Sequence, residues 1–333
     1  MSIATDPRAL RQTLAAYQRP SLARSILEIV ITAGPLIAIW GLAFYALAHH
    51  VWWGLLLTIP AAFFLVRLFM IQHDCGHGAF FRNKRLNDWV GRIIGVLTVT
   101  PYDYWRRTHA IHHATSGNLD RRWLGGVETL TVEEYRALSP IKRLGYRLYR
   151  NPVVLFVIGP AYMFILQHRV PIGLMKEPKA WLSVLGNNLG LALLVLAFVL
   201  FGGTGPFLMV HLPIVLLSAS IGVWLFYVQH QFEGAFWARN DDWTLHEASL
   251  KGSSHLQLPP VLSWFAANIG VHHVHHVGSK IPYYRLPQVL KDHPELDEMS
   301  RVGFWESFKS VRLALWDEAK GRLVSFHEAR RYR

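Results

Sequence analysis

Residues 51–77 read VWWGLLLTIPAAFFLVRLFMIQHDCGH. Positions 51–71 form an apolar run long enough to cross a bilayer, which takes about 20 residues of helix. Directly after the run, His73 and His77 stand at i and i+4, so a helix carries both on one face. A membrane segment thus delivers a pair of ligand-type side chains to its own end.

Three further runs have the length and apolarity of spans, at about 26–48, 181–201 and 208–229. Only His49 and His50 separate the first two spans, and Gly-Gly-Thr-Gly-Pro separates the last two, so each pair reads as a tight hairpin. A shorter run from Val153 to Gln167 contains Pro160 and reads as interfacial or re-entrant. Of the 34 Lys and Arg, Arg67 alone falls inside a predicted span, and neither hairpin turn carries one. The positive-inside rule then puts both termini and residues 72–180 on the cytoplasmic side. A spanning 153–167 would place the basic stretches flanking it on opposite faces.

The expectation is a single all-α integral membrane domain over residues 1–333. Four helices in two hairpins carry a cytoplasmic helical cap made of residues 1–25, 72–180 and 230–333, and the protein sits in the cell (inner) membrane. Arg67, near the cytoplasmic end of its span, is expected to snorkel to the interface; the sharper alternative places it beside a metal site. Apolar and basic residues at helical spacing in Phe304–Arg333 predict an amphipathic helix. No strand pattern stands out.

Composition agrees with this layout. Only 17% of the 333 residues are charged, against roughly 25% in soluble domains. The 13 Trp suit membrane interfaces. On such a chain a net charge of +12 marks the cytoplasmic face rather than a nucleic-acid partner. The single cysteine, Cys75, excludes an internal disulfide. Residues 1–24 lack the short apolar core of a secretory signal.

The 18 histidines are not scattered. His109, His112 and His113 repeat an i, i+3, i+4 spacing, and so do His272, His275 and His276. Residues so spaced share one helix face, so each cluster is expected to aim its imidazoles at one point. With four spans, all three clusters face the cytoplasm. Eight clustered imidazoles exceed the four ligands of a tetrahedral zinc, and no HExxH stands here. The paired Glu-x-x-His motifs of soluble di-iron bundles are also missing. Imidazole suits iron among other metals, and the set favours an oxygen-activating pair of irons. His230, where the fourth span meets the cytoplasm, is a further candidate ligand. His273 points about 100° away from His272 on a helix and reads as supporting or core. His49, His50, His168, His211, His246, His255, His293 and His327 read as ordinary residues. Asp74, Asp103, Asp120 and Glu233 lie near the clusters in sequence and are candidates to hold a ligand imidazole by its second nitrogen. Asn268, one helical turn before His272, is a weaker candidate ligand.

HDCGH, HAIHH and HHVHH, in this order between hairpins of membrane helices, resemble the three histidine boxes of the membrane fatty acid desaturases. The flanks HDCGHGAFF, PYDYWRRTHAIHHATSGNLDRR, FYVQHQFE and NIGVHHVHH are similar to the acyl-lipid enzymes of the omega-6, or delta-12, type. The likeness runs from about residue 25 to 290; three boxes in order with these flanks are specific where any one box is not. The resemblance implies two iron ions, O2 as co-substrate, and removal of two hydrogens from adjacent methylenes of a fatty acyl lipid. Its catalytic metal ligands map to His73, His77, His109, His112, His113, His272, His275 and His276, with His230 as the extra ligand. Some relatives carry one more residue in the first box than this chain does.

No GxGxxG, Walker motif or iron–sulfur cysteine set occurs, so electrons come from an external donor such as ferredoxin or a cytochrome of the b5 type. The same ligands would serve a hydroxylase or ketolase of an alkyl or carotenoid substrate. A histidine-rich metal transporter would instead place its ligands within the spans.

Overall fold

The computed structural model describes residues 6–122 and 124–331. The outermost residues of the 1–25 segment and of the 304–333 tail therefore lie outside the described chain. Among the described residues, four helices are long and apolar enough to cross a membrane: Leu22–Ala48, Trp52–His77, Pro178–Gly202 and Thr204–His230. They form the two expected hairpins, and the fold is helical and membrane-embedded. The protein is a membrane protein.

Local sequence sets the ends of these helices. The second span closes at Gly78, whose φ of 68° is the left-handed conformation that stops a helix. The third opens with Pro178, whose missing N–H costs nothing in a first turn. The fourth, after one turn at Thr204–Pro206, widens into a π turn at Phe207–His211, just before Pro213. The second span packs against both the first and the fourth, burying Ala61, Ala62, Leu65, Leu68 and Ile71. Within its most apolar stretch 56% of residues are buried, against 11% for the third span. The second span is thus the central post and the third the most lipid-facing.

One helix, Thr58–His77, carries both most of the apolar run and His73 and His77, and His230 is the last residue of the helix Leu212–His230. One expectation changes: Arg67 does not snorkel. Its side chain is 2% exposed and ion-pairs with Glu28 of the first span, which is 1% exposed. Arg67 also donates to Thr32 Oγ1 at 3.2 Å and to the Trp264 carbonyl, and its guanidinium lies 3.9 Å from the Trp264 ring. A carboxylate facing it across the helix pair makes burial cheaper than reaching the interface.

Outside the spans, short helices carry the other clusters. Tyr102–Thr115 holds His109, His112 and His113, and His272–Val277 holds the third cluster. The Val153–Gln167 run lies in a helical stretch, Val154–Arg169, bent 60° from Pro140–Tyr149. Two small sheets were not anticipated. Leu315–Asp317 pairs in parallel with Leu130–Thr131 and antiparallel with Arg322–Val324, and His255–Gln257 pairs in parallel with Arg301–Gly303. The amphipathic helix expected over 304–333 is thereby overturned. Its apolar Leu315, Trp316, Leu323 and Val324 are buried strand residues, and among its described residues only short turns and the helix Phe326–Arg331 remain helical.

Candidate metal centre

The nine imidazoles named from sequence gather into two groups. His73, His77, His109, His113 and His275 form one; His112, His230, His272 and His276 form the other. Within each group the potential ligand nitrogens all lie within 4.8 Å of one another. The His109 Nε2 stands 3.1 Å from the Nε2 of His73, of His77 and of His113. In the second group the His230 Nε2 is 3.0 Å from those of His112 and His272, and His272 is 3.1 Å from His276.

These spacings carry chemical content. A single ring proton on His109 cannot serve three nitrogen neighbours, so hydrogen bonding leaves lone pairs facing lone pairs; a cation between them resolves this. Two nitrogens each about 2.1 Å from an ion are about 3.0 Å apart at right angles and about 3.4 Å apart at the tetrahedral angle. The observed nearest pairs match the right-angled case, and five nitrogens exceed a tetrahedral set. The groups fit metals of higher coordination number with imidazole ligands.

The clusters do not each aim at one point. His109 and His113 serve the first group while His112 serves the second; His272 and His276 serve the second while His275 serves the first. Helix geometry explains the split. At 100° per residue, positions i and i+4 diverge by about 40°, whereas i+3 lies about 60° to the other side of i. Each triplet therefore straddles two centres, and the two facing helices exchange roles. The rings of His113 and His276 stack across the boundary at 4.1 Å.

Neighbouring groups fix the imidazole tautomers. The Gly252 carbonyl can only accept, so the His230 Nδ1 at 3.1 Å carries the proton and leaves Nε2 free to face its group. The His73 Nδ1 stands 3.3 Å from Asp74 Oδ1, while Asp74 Oδ2 accepts from the Tyr283 N–H at 2.7 Å. The Tyr283 hydroxyl in turn donates to Glu28 Oε2 at 3.0 Å. A continuous run of contacts thus ties the Arg67–Glu28 pair to the first group. This agrees with the alternative that placed Arg67 beside a metal site; the linking residues Glu28 and Tyr283 were not anticipated, although an acid and a base inside adjacent spans were their signal.

Trp105 stacks on His109, with centroids 4.6 Å apart. That approach needs Gly76, because a Cβ there would sit 2.8 Å from the Trp105 ring. Burial, reinforced by neighbouring imidazoles, holds the pKa values of His109, His112, His113, His272, His275 and His276 well below 6.5. Neutral rings are the form that ligates. Beside the second group a cavity of about 30 Å³ is lined by His112, His230, Thr115 and Phe226, room for about one water.

Other candidates stay apart. Asp103 pairs with Arg92 and Arg106, Asp120 with Arg239, and the side chain of Glu233 is 75% exposed; of the four acids only Asp74 touches a clustered histidine. His273 is a buried core residue donating to the Leu296 carbonyl at 2.8 Å. Asn268 is not a helical turn before His272, since the helix starts at His272. It occupies a left-handed turn beside Ser263. His168 and His211 are buried among aromatic rings, away from both groups.

The fatty acid desaturase family profile matches residues 50–308, a span that includes all nine clustered histidines. The chain belongs to the fatty acid desaturase family. A Bacillus subtilis fatty acid desaturase is 40% identical over 98% of this chain and 92% of its own length. A Synechocystis sn-1 acyl-lipid omega-3 desaturase (ferredoxin) is 28% identical over 87% of this chain and 81% of its own. A Synechocystis sn-1 oleoyl-lipid 12-desaturase is 27% identical over 78% and 72%. As a member of this family the chain is an oxidoreductase of lipid metabolism, and its histidine groups are compatible with a metal site.

Proposed function

We propose that this chain is an oxygen-dependent acyl-lipid desaturase holding two irons on its clustered histidines. His73, His77, His109, His113 and His275 hold one, and His112, His230, His272 and His276 the other. The observation that carries the reading is the pair of adjacent all-imidazole groups, built where the ends of two membrane helices meet two short helices outside the spans. When bound, the irons supply the activation of O2 that attack on an unactivated C–H bond requires, which no side chain provides.

The chain's own residues do the rest. Burial and neighbouring imidazoles keep the rings neutral. The Gly252 carbonyl and the Asp74 carboxylate orient His230 and His73, and the stacked Trp105 fixes the plane of His109. The clusters sit at the cytoplasmic face of the cell membrane, where positive-inside topology places them. Two electrons per turnover come from an external carrier of the ferredoxin or cytochrome b5 type. Relatives named as ferredoxin-dependent support a carrier of the first kind. The substrate is a fatty acyl group carried on a membrane lipid.

The test is expression in a host lacking polyunsaturated acids, with a ferredoxin system supplied and His112→Ala as control. Fatty acids are then analysed by gas chromatography–mass spectrometry. A new double bond that vanishes in the control is expected. Hydroxylated or ketone products would transfer the site to the alkyl hydroxylase or ketolase reading. Metal analysis of the purified protein is expected to give about two irons per chain.

A further inference from the structure

Away from the histidines, the third span carries a groove of about 480 Å³. Leu191, Ala192, Val195, Leu196 and Val199 line its length and Arg169 closes one end, next to Asn188. The spacing from 188 through 191, 192, 195 and 196 to 199 is one helix face. The eleven steps from 188 to 199, at about 1.5 Å each, make it roughly 16 Å long. From Leu189 to Gly202 no polar side chain occurs, so Asn188 and Arg169 stand at the end of that unbroken apolar stretch.

Arg169 is the unusual member. Its Nη1 donates to Asn188 Oδ1 at 2.6 Å and Asn187 Oδ1 at 3.3 Å, and its Nη2 to the Val99 carbonyl at 2.8 Å. All these acceptors are neutral. Its Nε–H is buried without an acceptor, and among the described residues no carboxylate pairs with it. A partly buried guanidinium held by neutral oxygens alone carries an unbalanced charge. The groove it closes lies on the helix least covered by protein. Arginine favours phosphate oxygens, and an acyl chain is the occupant a lipid-facing apolar groove offers.

We propose that this groove is a binding site for an anionic membrane phospholipid. The headgroup phosphate lies against Arg169 and one acyl chain runs along Leu191, Val195 and Val199. The proposal does not depend on the metal centre or on the reaction.

The test uses the purified full-length protein in dodecyl maltoside. Dioleoylphosphatidylglycerol or dioleoylphosphatidylcholine is added, and bound lipid is counted by native mass spectrometry. The wild type is expected to retain one phosphatidylglycerol in preference to phosphatidylcholine. Arg169→Gln should weaken that retention at least tenfold, while Lys179→Gln, a nearby exposed charge, leaves it unchanged. Because Arg169 also ties the third span to Val99, its loss could impair folding. Leu196→Trp, at a position 53% exposed, fills the groove while keeping the charge, and should also lower retention. Equal retention of the two lipids overturns the proposal. So does undiminished binding in a folded Arg169→Gln or Leu196→Trp protein, or an equal loss in Lys179→Gln.

Discussion

Replacing Arg67 by methionine, or Glu28 by glutamine, separates a buried ion pair in the centre of the helix bundle. Both side chains are almost completely shielded, at 2% and 1% exposure, so neither survivor gains water in exchange. Losing one partner of such a pair costs about 3–5 kcal/mol, because the other is left as an uncompensated charge. The two variants should not be equal. After Arg67→Met, Glu28 keeps Arg24 at 2.7 Å, although that side chain is 51% exposed, and keeps the Tyr283 hydroxyl; the lower end, about 3 kcal/mol, applies. After Glu28→Gln, Arg67 retains only neutral acceptors and the Trp264 ring, and the upper end applies. At roughly 2 °C per kcal/mol for a large domain, the expected falls in melting temperature are about 6 °C and about 10 °C. Tryptophan fluorescence in detergent, at one scan rate, reads them. The double variant Glu28→Leu with Arg67→Met removes both charges and should melt above Glu28→Gln alone. A fall of less than about 2 °C for either single variant, or a double variant that loses the sum of both, would refute the reasoning.

Asp74→Asn weakens the acceptor facing the His73 Nδ1 and should cost 10–100-fold in metal affinity, measured by iron titration against a competing chelator; unchanged affinity would show that Asp74 does not orient His73. Gly76→Ala forces a Cβ to within 2.8 Å of the Trp105 ring, so metal content should fall while the protein still inserts in the membrane; Trp105→Leu added to it should restore part of the loss, and full metal content in the single variant would count against close approach there. Acid sensitivity follows from the six depressed histidines outside the spans. Below pH 6.5 the unfolded chain takes up protons that the folded imidazoles refuse. Their contribution to stability is therefore complete above that value and is lost as pH falls toward the depressed native values. The melting temperature of chelator-treated protein should be level from about pH 7 to 8 and decline below about 6.5; a level profile down to about pH 5 would contradict the burial.

Hydropathy alone located the four spans, because a bilayer demands an unbroken apolar run and leaves it in the sequence. The tail was misread because strands of three residues, such as Leu315–Asp317 and Arg322–Val324, are too short to display a period of two. Arg67 was misread for a different reason. Its partner Glu28 lies 39 positions away, and a charge inside a span looks alike whether it meets lipid, interface or an opposite charge until the packing of the helices is known.

The histidines fall between these cases: which residues gather was legible, but how they divide was not. The division follows from helix angles once two helices face each other. The second cluster gives two imidazoles to the first group and one to the second, and the third cluster does the reverse. The first cluster and His230 then supply what each group lacks. Both groups therefore draw on the same two short helices, and tilting either one disturbs both at once. Removing His112 alone should for that reason cost more than one metal's share of activity, and combining it with His275→Ala should add little further loss.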